Sequence, residues 1–308
     1  SKSNVTRGVP RLKELLHISK KIKVPSTTIY LDDEHRYDKT KANEVLNQIE
    51  LTGAKDIIRS INIHFDPYDN NTTIKEDEDM LEIYKIFNEV NPILKTDNEG
   101  SDWIIRIIFG KQEMVNKNII MEDIYYNINQ LYSDELSCVY SDDNSNNLIF
   151  RLRIMKQKKT TKLNDINLLK QIASNIREKI IIKGVKDINE VYMFKNKTNT
   201  VFNNNTYERK EEWVLNTNGV NILDICNHKY VDSSKTYSND IYEMYETFGI
   251  EATRTILLDE IKEVIESSGN YVNNRHLYLL CDIMTNRGDL MSIDRFGINR
   301  GENGPLAK

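Results

Sequence analysis

After Gly8 and Pro10, the apolar positions Leu12, Leu15, Leu16 and Ile22, with Ser19 between them, recur at helical spacing and the lysines lie opposite. This predicts an amphipathic helix that starts near Pro10 and is closed by Pro25. Proline suits the first turn because its missing N–H has no helical partner to lose there. Thr27 to Leu31 then reads as a strand, and Lys41 to Leu51 as a helix with Val45, Leu46 and Ile49 on one face. Ile57 to Phe65 alternates at period two and ends at Asp66-Pro67. Asp77 to Asn88 reads as a helix, Trp103 to Phe109 as a strand, and Met121 to Tyr132 as a helix. Two strands follow, Ser137–Tyr140 and Leu148–Ile154, joined by a turn rich in Asp and Asn over Asp142–Asn147.

Met155–Lys162 is a basic loop, and Asn164 or Asp165 is placed to cap a helix reaching Lys179. Strands return at Glu190–Lys195 and Glu212–Leu215. After Asn221 the pattern changes. From Ser238 to Arg287 it is helical throughout, broken at Gly249 and around Gly269. No internal repeat and no long low-complexity linker interrupts the chain. The pattern predicts an α+β fold in which a mixed α/β middle is flanked by mainly helical segments, as if the middle were inserted.

Composition alters this picture little. The 308 residues suffice for two or three compact units. No apolar run approaches the roughly 20 residues of a membrane span, so no membrane contact is expected. Residues 1–20 are too polar and basic for a secretory signal. Cys138, Cys226 and Cys281 are far apart and form no CxxC pair, which points away from a disulfide framework or zinc site and toward a reducing compartment. Abundant Asn, Ile, Lys and Tyr fit an AT-rich genome.

Charge adds more. The net charge of −5 argues against a generic nucleic-acid binder. The distribution is uneven, however. The first 30 residues carry Lys2, Arg7, Arg11, Lys13, Lys20, Lys21 and Lys23 against Glu14 alone, and acidic clusters follow at Asp32–Glu34 and Glu76–Asp79.

No phosphate-binding GxxxxGK[ST], strand-borne GxGxxG, GxSxG or HExxH occurs. Asp32, Asp33 and His35 have metal-ligand chemistry, but consecutive loop positions point apart, and a solvated acidic loop is the plainer reading. Glu76–Asp79 reads as a helix N-terminus, where carboxylates oppose the dipole. The basic loop could touch a nucleic-acid backbone or simply be a solvated connection. Trp103 and Trp213 lie in strand-like runs as core residues, and His17 and His276 lie in helices as packing or capping residues.

The C-terminal run Gly269–Lys308, "GNYVNNRHLYLLCDIMTNRGDLMSIDRFGINRGENGPLAK", decides the reading. A helix bearing Arg275, His276 and Asp282 leads to a turn at Gly288. A strand-loop over Asp294–Gly304 is then expected to offer backbone and guanidinium groups to phosphates. This run resembles the late part of the largest subunit of multisubunit DNA-dependent RNA polymerase, in its eukaryotic and archaeal form. "GVPRLKELL" with "PSTTIYL" is similar to the segment directly after that subunit's trigger loop. "EEWVLNTNGVN", "FGIEATR", "YVNNRHLYLLCDIMTNRG" and "RFGINR" follow in the family's order. The similarity spans the chain and is weakest over about 53–185. One departure is Arg295-Phe296-Gly297, where the family usually has Arg-His-Gly.

The resemblance implies three regions: 1–52, a trigger-loop hinge and cleft segment; 53–185, the jaw; and 186–308, a cleft segment ending in the start of a clamp switch. Gly8, Pro10, Leu12, Lys13 and Glu14 would form the hinge, and Arg295, Gly297, Asn299 and Arg300 would meet DNA. A surface turn in which Arg295 and Arg300 pair with Asp294 and Glu302 is the plain alternative. No catalytic residue is expected in this chain. The aspartate loop that holds the catalytic Mg2+ would lie outside it, as would the part of the trigger loop that touches the triphosphate. The implied function is transcription elongation within the largest subunit, alongside the second-largest and other subunits, DNA template and RNA transcript, and elongation or transcript-cleavage factors at the jaw. The expected location is the nucleus, or host cytoplasm or virion for a viral source. The chain would be a fragment, a cloned piece or a split-gene product. Two alternatives remain: a protein-interaction module derived from that subunit, and an unrelated hydrolase using Asp32, Asp33 and His35.

Overall fold

In the computed structural model the described residues are 8–67, 72–90, 100–132, 135–155, 162–197, 200–203, 206–267 and 269–300. The first part of the chain forms α1 (Val9–His17), β1 (Thr27–Tyr30), α2 (Lys39–Ile49), β2 (Thr52–Gly53), α3 (Ala54–Ile57) and β3 (Ile58–Phe65). A 3₁₀ turn, Lys75–Asp77, leads into α4 (Glu78–Val90), followed by β4 (Gly100–Phe109), α5 (Lys111–Lys117), α6 (Met121–Tyr132), β5 (Leu136–Tyr140) and β6 (Leu148–Met155). Next come α7 (Lys162–Lys179), β7 (Ile181–Lys183), β8 (Glu190–Asn196), β9 (Thr200–Asn203), β10 (Thr206–Arg209) and β11 (Glu212–Asn218). The last part holds α8 (Ile222–Cys226), β12 (Tyr237–Ser238), α9 (Ile241–Phe248), α10 (Ile250–Ser267), α11 (Asn274–Thr285) and α12 (Arg295–Arg300). The fold is α+β. Two units divide the chain, one of Ser1–Leu51 with Val185–Lys308, the other of Thr52–Gly184.

In the first unit, the sheet runs in the order β12-β1-β11-β8 with antiparallel neighbours. Strand β1 pairs Thr28 with Asn216 and Ile29 with Leu215, so the early and late parts of the chain share one sheet. Helix α2, capped by Asp38 accepting from the Thr40 N–H, lays Ala42, Val45 and Ile49 on Ile29, Ile188 and Leu215. A second core is helical. Leu15 of α1 packs with Ile241, Leu257, Ile261, Leu277, Cys281 and Met284 from α9, α10 and α11. Gly219 ends β11 at φ 110°, and a Cβ there would lie 2.0 Å from the Asp187 carbonyl oxygen, so only glycine fits that crossing.

The Thr52–Gly184 unit is built on the antiparallel sheet β3-β4-β6-β5. One face carries Ile105, Ile107, Phe109, Phe150 and Leu152 into a core filled by Met121, Ile124 and Ile128 of α6 and Leu169, Ile172 and Ile176 of α7. The opposite face is also buried, but there it is ionic. Arg106 and Arg151 are cross-strand partners. Asp77, wholly inaccessible, accepts from Arg106 at 2.9 Å and Arg151 at 2.9 Å, and Asp66 accepts from Arg151 at 2.8 Å. Chain entry and exit are paired side by side, Thr52 of β2 opposite Lys183 of β7.

Several elements differ from the pattern. Helix α1 stops at His17, well short of Pro25: Ile18 turns left-handed (φ 49°), and the Ser19 N–H bonds back to the Glu14 carbonyl in a Schellman-like closure. Ser19 and Ile22, beyond the helix end, line a small crevice with Arg11, Glu14 and Leu15. Helix α7 begins at Lys162, so Asn164 and Asp165 lie within it rather than capping it. Most of the basic loop, 156–161, lies outside the described residues. Of the Glu76–Asp79 cluster, Glu78 and Asp79 open α4, while Asp77 is the buried hub of an ion cluster. The short pieces α3, α5, β7, α8 and the β9–β10 hairpin give too few residues for a periodic signal.

Candidate functional site

Gly8 precedes α1 with φ 75° and ψ −151°, a backbone state open almost only to glycine. A Cβ there would meet nothing within 4 Å. The constraint is therefore conformational rather than steric. No side chain caps the helix; the Gly8 carbonyl accepts from the Leu12 N–H at 3.1 Å, and Pro10 sits in the first turn. Leu12 is half-buried against the helical core, Lys13 is exposed, and Glu14 turns toward Arg11.

Arg11 is the residue that sequence reasoning missed. It is 3% exposed, on a helix face read as basic and solvated. Its Nη2 donates to Glu260 at 2.9 Å and to the Asn239 carbonyl at 2.6 Å, Nε donates to the same Glu260 oxygen at 3.3 Å, and Nη1 reaches Glu14 at 3.2 Å. Burial pushes the Glu260 carboxyl above its ordinary pKa, and the hydrogen bond from Arg11 pulls it partly back. The partners are 249 positions apart in sequence, so no local spacing could have announced them.

The DRFGINR stretch is a short helix, not the expected strand-loop. Asp294 is its cap: Oδ1 accepts from the Phe296 N–H at 2.9 Å and the Gly297 N–H at 2.7 Å, and these bonds hold its pKa low. Gly297 is buried, and a Cβ there would fall 2.1 Å from the Ser292 carbonyl oxygen. The close approach that this glycine permits is thus to the chain's own backbone. Arg295 is exposed, its guanidinium 4.7 Å from the Phe296 ring centre, and it has no carboxylate partner among the described residues. Asn299 and Arg300 sit on α12, but their side chains lie outside the described residues, as does Glu302.

Two stretches far apart in sequence meet here. The Ile293 N–H donates to the Leu16 carbonyl at 2.9 Å, and His17 Nδ1 lies 3.4 Å from Asp294 Oδ2. Leu12, Ile18, Leu290 and Ile293 pack on the same core. Gly8–Glu14 and Arg295–Gly297 therefore belong to one assembly of α1 and α12. The acidic loop stands elsewhere: Asp33 pairs with Arg36, and the His35 ring packs 4.5 Å from that of Tyr230. Among the described residues, no group of three or more His, Cys, Asp and Glu is placed to hold a metal, and no helix is long and apolar enough to cross a membrane.

Other motif residues have structural roles. Gly249, at φ 85°, separates α9 from α10. Arg254 of "FGIEATR" bonds Asp282 of α11 at 2.6 Å and lies over the Tyr278 ring. His276 is exposed on α11. Trp103 and Trp213 each pack half-buried on a core, one in each unit.

The family model described as RNA polymerase Rpb1, domain 5, matches residues 1–306. That match covers the conformationally locked glycine before α1, the paired motifs of α10 and α11 and the docked α12 alike. The chain belongs to the RNA polymerase Rpb1 domain 5 family and is thus part of the largest subunit of a nucleotidyltransferase complex, with other RNA polymerase subunits as its partners.

Proposed function

We propose that this part of the largest subunit anchors the C-terminal side of the trigger loop through Gly8 and α1, lines the downstream DNA channel, and carries the jaw in its Thr52–Gly184 unit. The observation that carries this reading is the docking of α1 on the start of α12, through Ile293 to Leu16 and His17 to Asp294. A hinge helix held there links the folding of the preceding loop to residues that would face nucleic acid. Leu12 packs the helix base, and Lys13 and Glu14 bias the loop between open and folded states, a population shift in a two-state element. Arg295 supplies a phosphate contact, with Asn299 and Arg300 beside it on α12, while Gly297 sets the fold of that turn. The catalytic Mg2+ of the assembled enzyme is held outside this chain. Its partners in this reading are the second-largest subunit, DNA template and RNA transcript, with elongation or transcript-cleavage factors at the jaw. The setting is the nucleus, or host cytoplasm or virion for a viral enzyme.

The test is Arg295→Ala in an assembled polymerase on one template across a salt series. Loss of a phosphate contact lowers the slope of log affinity against log salt by about one unit. A wild-type slope would remove Arg295 from the DNA contacts and favour an interaction module that no longer touches DNA.

A further inference from the structure

The hinge reading of Gly8, Leu12 and Glu14 gives no role to the buried guanidinium of Arg11, yet it ties α1 to two other parts of its unit. The helix has nine residues and no side-chain cap, so it depends on tertiary anchors. Its apolar anchors, Leu15 and the half-buried Leu12, are non-directional and tolerate small rotations. The Arg11 fork is directional. It joins α1 to Glu260 on α10 and to the Asn239 carbonyl just before α9, and so fixes both rotation and rise. Glu14, on α1 itself, shares the same guanidinium from the other side. It orients the fork without tying the helix to the body of the unit.

We propose that Arg11 is a positioning residue for nucleotide addition: an ionic latch to Glu260 that sets the pose of α1, and with it the pose of the chain entering Gly8. Glu14 acts through this latch by drawing the guanidinium toward α1. The inference rests on the reading of α1 as the trigger-loop anchor. Since the latch touches no substrate, its loss should slow the chemical step while leaving nucleotide binding nearly intact.

The experiment is single-nucleotide addition by assembled polymerase carrying Arg11→Lys, Glu260→Gln or both, with matched and mismatched nucleotides. Arg11→Lys keeps the charge and removes the fork; Glu260→Gln keeps the shape and removes the ionic partner. Each is expected to lower kcat for the matched nucleotide by about tenfold, with KM within about twofold, and the pair together no further than the stronger single variant. Arg11→Lys should also abolish the kinetic effect of Glu14→Gln. Wild-type kcat and mismatch ratio in both single variants would overturn the latch, as would full additivity between Arg11→Lys and Glu260→Gln. Gly8→Ala separates the two levels. Altered kinetics there with unchanged Arg11→Lys and Glu260→Gln enzymes would leave the hinge and remove the latch. Unchanged kinetics in all three would remove the hinge reading itself.

Discussion

In the Thr52–Gly184 unit, Arg106 and Arg151 are buried side by side and closed off by Asp77 and Asp66, with Glu76 at the rim. In the other unit Arg11 is buried alone, divided between Glu260 on α10 and Glu14 on its own helix. Both arrangements answer the high cost of desolvating a guanidinium. The first does so with two carboxylates that have no accessible surface, one just after β3 and one in the 3₁₀ turn, facing arginines held by paired strands. The second uses carboxylates that keep some contact with water and sit on separate helices, one of them the helix that begins directly after Gly8. The first is suited to rigidity, the second to adjustment.

The comparison breaks most visibly at Asp77. Asp77→Ala should leave two buried guanidiniums sharing one carboxylate fewer and destabilise that unit by about 3–5 kcal/mol. The measurement is denaturant unfolding followed through Trp103, in a Trp213→Phe background. Trp213 fluorescence, in a Trp103→Phe background, should report little change for the other unit. Gly297→Ala ranks next. A Cβ 2.1 Å from the Ser292 carbonyl oxygen forces α12 off its seat, at about 1–3 kcal/mol, read as faster amide exchange at Phe296 and Gly297.

A smaller effect sharpens the contrast through pH. Glu243 accepts from the Ile222 N–H at 2.8 Å, its other oxygen is buried with no partner among the described residues, and burial raises its pKa from 4.5. Its folded form therefore binds a proton more readily than the unfolded chain, and the stability it gives when protonated is lost as pH rises from 4.5 through the raised value. Glu243→Gln should gain on wild type in thermal midpoint over that rise and run parallel to it below. The least change belongs to Arg254→Ala. Its pair with Asp282 is about half exposed, so removing it should cost about 0–1 kcal/mol in denaturant unfolding.

The sequence patterns that were legible were those with many repeats of one period. Helix α6 and strand β3 sit where alternation and helical spacing put them, and the helices around Gly249 and Gly269 follow the same rule. Helix α1 was legible at its start, because proline and glycine are local signals, but not at its end. Nothing nearby marks Ile18 as left-handed, since isoleucine disfavours that state. Helix α12 was missed because six residues, with a glycine among them, are too few for a periodic signal, although its capping Asp294 is a local cue. The ionic cluster left a trace that could have been read. "WIIRIIF" sets arginine inside an otherwise apolar run, where a strand buried on both faces has no solvated side for it, while the alternating arginines of "LIFRLRIM" read as an ordinary polar face. Such an arginine needs a carboxylate from elsewhere, and Asp66 and Asp77 were the acids that follow the neighbouring strand. Arg11 left no such trace, since its run reads as an ordinary basic helix face.

Thr52 and Lys183 face each other across a two-stranded ladder. Everything between them leaves and returns through adjacent positions, as a loop leaves and rejoins a hairpin. In hereditary terms, the 133 residues from Thr52 to Gly184 occupy the place of a single turn. Lineages can lengthen, trim or exchange that piece without altering the span that the flanking backbone must bridge.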